Sequence, residues 1–134
     1  MQYLDFIHRV QEETGVNSPE RAAQISRAVL ETLGERLDRQ TRNGVVAQLP
    51  KELKEFMLTR ANGGDSYDVP EFYRRVGARA GMKYYDSAER TWKVMAVLRE
   101  AIPDGEVNDI LEGLPADFVE LFGEAVPNRV RPKP

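Results

Sequence analysis

Apolar residues recur at helical spacing along most of the chain. Tyr3, Phe6, Ile7 and Val10 form one stripe, and Val69, Phe72, Tyr73 and Val76 form another. The i, i+3, i+4, i+7 spacing is that of a helix burying one face. Two longer stripes follow, one of Ala22, Ile25, Val29, Leu33 and Leu37, the other of Ala88, Thr91, Met95, Leu98 and Ile102. After each come two short amphipathic segments, roughly 39–49 and 50–59, then roughly 105–114 and 115–122. No stretch alternates apolar and polar residues long enough to make a strand. The pattern predicts an all-α fold of about eight helices.

The segments fall into two sets of four. Sliding the chain on itself by 66 places Phe6 on Phe72, Arg9 on Arg75, Val10 on Val76 and Gly15 on Gly81. After one deletion the offset is 65. Ala23 then falls on Ala88, Val29 on Val94, Leu33 on Leu98, Asn43 on Asn108, Leu49 on Leu114, Pro50 on Pro115 and Glu55 on Glu120. We therefore expect two tandem four-helix repeats, residues 1–60 and 69–122. Units of roughly 60 residues are marginal alone, so the repeats are expected to share one core. The Gly, Asn and Asp density of "ANGGDSYD" marks 61–68 as a linker, and 123–134 reads as a flexible, basic, Pro-rich tail.

Both sets carry similar punctuation. Ser18 before Pro19 opens the second helix, and Asp68 before Pro70 and Glu71 opens the fifth. In the second set the cap of the long helix is expected at Asp86, with Glu89 reaching back, which leaves Tyr84 and Tyr85 in the preceding loop. Gly15 and Gly81 are placed to end the first helix of each set in the left-handed conformation. "QLP" at Gln48–Pro50 and "GLP" at Gly113–Pro115 are corners: proline cannot continue a helix but suits a new first turn, while the leucine plugs into the core.

Composition narrows the chemistry. The chain is 41% hydrophobic and 31% charged, with a net charge of −3. Residues 1–64 hold 9 acidic and 9 basic side chains, and 65–134 hold 13 and 10. Neither half is the basic footprint of a typical nucleic-acid binder. There is no cysteine, which excludes disulfides, thiolate metal sites and cysteine nucleophiles and suits a reducing compartment. No apolar run approaches the roughly 18 to 20 residues needed to span a bilayer, and no leader pattern opens the chain. The expectation is a cytoplasmic, non-membrane protein.

"RAAQISRAVLETLGERL" followed by "VVAQLPKEL", after a first helix carrying Phe and Val, resembles the DUF2267 family of uncharacterised bacterial proteins over about residues 3–122. The resemblance implies an all-helical domain with duplicated structure. The second set departs from the pattern, having "VLREAIPDGEV" and "EGLP" where the first has "LGERLDRQTRN" and "AQLP". Any role of the glutamine before Leu-Pro therefore falls to Gln48.

Catalytic signatures are sparse. The sole histidine, His8, reads as a surface residue and supplies no triad or metal cluster. Asp104, Glu106, Asp109 and Glu112 lack a calcium-loop pattern and read as first-turn and solvated carboxylates. No metal or cofactor is expected. Arg74, Arg75, Arg79, Lys83, Arg90 and Lys93 gather around Tyr84, Tyr85 and Trp92, a mixture that can grip an acidic partner or stack on bases. The competing assignment is core packing for Trp92 and Tyr73, with a solvated arginine face balanced by Glu71, Asp86 and Glu89. The expected function is a non-enzymatic protein-interaction or scaffolding module, or self-association. Tyr84, Tyr85, Trp92, Arg75 and Arg79 are the candidate partner-binding residues. Nucleic-acid binding through the same arginine and aromatic surface is the alternative, disfavoured by net charge.

Overall fold

The computed structural model describes residues 1–125, apart from the side chains of 124 and 125. Among these residues the protein is all-helical, with seven α-helices and one 3₁₀ helix. The α-helices are α1 (Tyr3–Thr14), α2 (Pro19–Arg36), α3 (Arg39–Val46), α4 (Lys51–Leu58), α5 (Val69–Ala80), α6 (Tyr84–Ala101) and α7 (Asp104–Glu112), and the 3₁₀ helix spans Ala116–Ala125. No helix among the described residues is long and apolar enough to cross a membrane.

Most boundaries follow from local chemistry. The Ser18 hydroxyl accepts from the Arg21 N–H at 3.1 Å, with Pro19 in the first turn, and Asp68 accepts from the Glu71 N–H at 3.0 Å. Gly15 and Gly81 end α1 and α5 with φ of 72° and 67°, a region that strains any side chain but glycine's. Both corner leucines, Leu49 and Leu114, are buried. Pro50 occupies the residue before α4, one position earlier than a first-turn proline.

Two boundaries differ from the sequence pattern. α6 begins at Tyr84, so Asp86 lies inside its first turn and the cap position belongs to Lys83. Tyr84 packs edge-on against Tyr73, ring centroids 5.8 Å apart, and this tertiary contact draws the helix start two residues ahead of the aspartate. Asp86 instead favours the positive end of the helix dipole. The second corner leads into a 3₁₀ helix that continues through Ala125, past the expected end at 122, with its regular geometry broken at Gly123. The rest of the expected tail, 126–134, lies outside the described residues.

The packing interleaves early and late segments around one contiguous core. α1 packs on both α2 and α6, and α5 packs on both α6 and α2; α4 covers α2, the 3₁₀ helix covers α6, and α3 meets α7. α4 approaches α2 so closely at Gly34 that a Cβ there would lie 1.9 Å from the Met57 carbonyl oxygen.

The 61–68 segment is pinned to the end of α2. The buried Arg42 guanidinium donates through Nη1 to the carbonyls of Gly34 (3.2 Å), Leu37 (3.1 Å) and Asn62 (3.0 Å), satisfying acceptors that a helix terminus leaves open. Tyr67 donates its hydroxyl to the Thr32 carbonyl at 2.7 Å, and Arg36 donates to the Tyr67 carbonyl at 2.9 Å. Burial pushes the Tyr67 phenol well above its ordinary titration range.

Candidate functional site

The five sequence candidates separate into two groups and one outlier. Arg75 and Arg79 meet at Glu35 of α2, 3.1 and 3.0 Å away. Arg75 also reaches Asp65 and Glu71 and lies 4.0 Å above the Tyr67 ring centroid. Its hydrogen bond holds the Glu71 carboxyl below the usual range. Arg79 donates to the Thr32 hydroxyl at 2.8 Å. Both guanidiniums are thus engaged in tying α5 to α2.

Tyr84 and Trp92 form the second group, gathered on Tyr73. The Trp92 indole N–H donates to the Tyr73 hydroxyl at 2.9 Å, which donates in turn to Glu120 at 2.7 Å. Trp92 is 9% exposed, and Tyr84 is half-buried with its phenol pushed up by desolvation. Tyr85, at 65% exposure, stands apart in the first turn of α6. Arg90 pairs with Asp86 at 3.6 Å, as expected for a balanced surface.

A different constellation appears only in three dimensions. A cleft of about 520 Å³ is bounded by Arg21, Gln24, Arg27, Ala28 and Glu31 of α2, Arg60 just beyond α4, and Arg79, Ala80 and Gly81 at the end of α5. Residues 21, 24, 27, 28 and 31 project from one side of α2 by helical spacing. Glu31, only 6% exposed at its side chain, accepts from Arg27 Nε at 2.8 Å on one oxygen and from Arg60 Nε at 3.1 Å on the other. Arg27 also lies 5.7 Å over the Phe56 ring. Both arginine side chains remain about half exposed, 59% and 46%. A second cleft of about 380 Å³ shares Arg21 and Gly81 and adds Val16, Met82, Lys83, Asp86 and Arg90.

Such a surface can hold anions by charge-assisted hydrogen bonds. Sequence reasoning found Arg79, Lys83 and Arg90 but missed Arg21, Arg27 and Arg60. The available signal was Arg21, Arg27 and Glu31 on one face of α2, which does not say that Arg60 joins them.

Other chemistry is thin. His8 is exposed on α1. No group of three or more His, Cys, Asp or Glu able to hold a metal ion occurs among the described residues. The acidic residues Glu106, Asp109 and Glu112 line a smaller hollow against α3. A family model, described as an uncharacterized conserved protein (DUF2267), matches residues 3–121. No curated protein matches the chain.

Proposed function

The chain belongs to the DUF2267 family, and from that premise we propose a non-enzymatic, cytoplasmic protein-interaction module that docks an acidic segment of a partner in the arginine-lined cleft. The observation that carries this reading is the Glu31 clamp: one buried carboxylate holds Arg27 and Arg60 by their Nε atoms at the mouth of a concave site. Side chains held in place before binding lose less freedom when a partner arrives. The neighbouring cleft also offers the partly exposed Val16 and Met82 as apolar footing for a peptide backbone.

Nucleic-acid binding finds less support. Arg75 is already committed to Glu35, Asp65 and Glu71, Trp92 packs in the core, and neither cleft has an aromatic lining residue to stack a base. Of the original candidates, Arg79 lines the cleft, and Tyr85 lies next to the second cleft along the chain. These two residues carry the earlier interaction proposal forward.

The test is retention of a stoichiometric protein from nuclease-treated extract of the source cell, comparing wild type with Arg21→Gln/Arg60→Gln. Retention by wild type alone supports docking in the cleft. Equal retention by both, or retention seen only when nuclease is left out, overturns it.

A further inference from the structure

We infer that the cleft recognises a phosphoryl dianion on its partner, so that docking is switched on by phosphorylation of a serine or threonine in the bound segment. This inference rests on the interaction reading above and names the chemistry of its ligand.

Charge is the first argument. Arg21, Arg27, Arg60, Arg79, Lys83 and Arg90 line the two joined clefts. Against them stand Glu31 and Asp86, with Glu35 holding Arg79 from behind. Six cations against three carboxylates leave an excess of three. The ends of α4, α5 and α6 near the clefts each contribute roughly half a charge, two negative and one positive, and lower the excess by only about half a charge. A single carboxylate would leave most of that excess uncompensated, whereas a phosphoryl group near neutral pH carries about −1.5 to −2.

Geometry is the second argument. A guanidinium carries five N–H donors in a planar fork. Glu31 takes only the Nε donor of Arg27 and of Arg60, and among the described residues their Nη groups make no hydrogen bond. Two forks fixed at one edge and open at the other suit a ligand with three acceptor oxygens. Among the described residues the Arg21 guanidinium hydrogen-bonds Gln24 alone, at 3.0 Å, which leaves it donors for the same anion.

A peptide is favoured over a polynucleotide because the cations line a concavity, and because the lining offers valine and methionine but no ring for a base. The same phosphoryl chemistry could come from free phosphate, and the experiment separates the sources.

The experiment uses the whole chain and four immobilised probes: a degenerate phosphoserine peptide library, the same library dephosphorylated, an aspartate/glutamate-rich library, and a single-stranded oligonucleotide. Nitrogen-15 spectra of the arginine Nε groups are recorded in parallel with added inorganic phosphate. The expected result is at least tenfold preference for the phosphorylated library over its dephosphorylated form. Phosphate should also shift the Arg27 and Arg60 resonances selectively. Arg21→Gln, which leaves no buried carboxylate unpaired, and Arg60→Gln should each reduce retention at least fivefold in protein shown to be folded by circular dichroism.

Equal retention of the acidic and phosphorylated libraries overturns the phosphoryl inference but leaves the interaction reading standing. Binding of inorganic phosphate without any library overturns both. Preference for the oligonucleotide assigns the cleft to nucleic acid, and absence of all binding overturns the inference outright.

Discussion

Arg9 of α1 clamps Glu100 of α6 with two hydrogen bonds, Nη2–Oε2 at 2.8 Å and Nε–Oε1 at 3.1 Å. The alignment of the two halves of the sequence carries Arg9 onto Arg75 at an offset of 66 and, after the one-residue deletion, Glu35 onto Glu100 at 65. Arg75 of α5 pairs with Glu35 of α2 at 3.1 Å, so each half sends an arginine from its first helix to a glutamate near the end of the other half's long helix. The two bonds sit in different surroundings, because Glu100 is 44% exposed at its side chain whereas Glu35 is 12% exposed.

The exposed pair predicts a pH signature. The hydrogen bond from Arg9 holds the Glu100 carboxyl below its ordinary value of 4.5. A carboxylate with a lowered folded-state pKa contributes stability above the unfolded value and loses it as pH falls through the folded one. Arg9→Gln removes this contribution, so the gap between wild type and variant should be full above the ordinary value of 4.5 and shrink as pH falls below it. Urea denaturation at stepped pH measures it; a gap that stays constant would show that the clamp has no linkage to folding. The gap should also be small and should shrink with added salt, because the pair is exposed.

Gly34 predicts a large cost from one methyl group. A Cβ there would meet the Met57 backbone carbonyl at 1.9 Å, so α4 would have to move off α2. Gly34→Ala should destabilise by at least about 2 kcal/mol, in the range of overpacked cores. Gly105, in the first turn of α7, has nothing within 4 Å of its would-be Cβ. Gly105→Ala should be neutral or stabilise by up to about 1 kcal/mol. Chemical denaturation of both variants decides whether close approach or chain entropy sets the sign at each glycine.

What the sequence made legible was whatever is decided within a few residues. Helical stripes, the Ser18 and Asp68 caps, the Gly15 and Gly81 terminations and the buried corner leucines each depend on neighbours along the chain, and each is found. The start of α6 was missed because Tyr73, a partner from another helix, decides it. The candidate site suffered most. Arg75, Arg79, Tyr84, Tyr85 and Trp92 are near neighbours in sequence, but α5 turns its arginines to Glu35 while Tyr84 and Trp92 converge on Tyr73. The cleft arginines lie on three elements, and only tertiary packing brings Arg60 to Glu31.

The Tyr73 hydroxyl links Trp92 to Glu120 within a buried aromatic cluster. Tyr73→Phe keeps the ring and deletes that link, which should cost about 1 to 3 kcal/mol because it removes an acceptor from the buried indole N–H and a donor from the part-buried Glu120. The single tryptophan provides a second readout, since losing this acceptor should shift its fluorescence maximum in the folded state. Unchanged stability and an unchanged spectrum together would make the hydroxyl dispensable.

The corner leucines predict matched losses. Leu49 and Leu114 are both buried behind a proline, and truncation to alanine should cost each about 2 to 5 kcal/mol through lost burial and a residual cavity. Pro50→Ala and Pro115→Ala should be milder, since no core volume is removed. A leucine variant that denatures like wild type would mean that its side chain does not anchor the corner.

The interleaved packing predicts that neither half folds alone. Cutting in the 61–68 segment would strip α6 from α1 and α5 from α2, exposing the buried faces of Phe6, Ile7 and Val10 on one side and Phe72, Tyr73 and Val76 on the other. A fragment of roughly 60 residues already lies near the lower limit of self-sufficient cores, and here it would lose one of the two long helices that its first helix packs against. Residues 1–64 alone should therefore show little amide dispersion in a nitrogen–proton correlation spectrum and no cooperative melt. Adding residues 65–134 should restore both, with a concentration dependence that reports the association of the halves. A cooperative melt of the first fragment by itself would mean that the contacts of α1 with α6 and of α5 with α2 join two finished units.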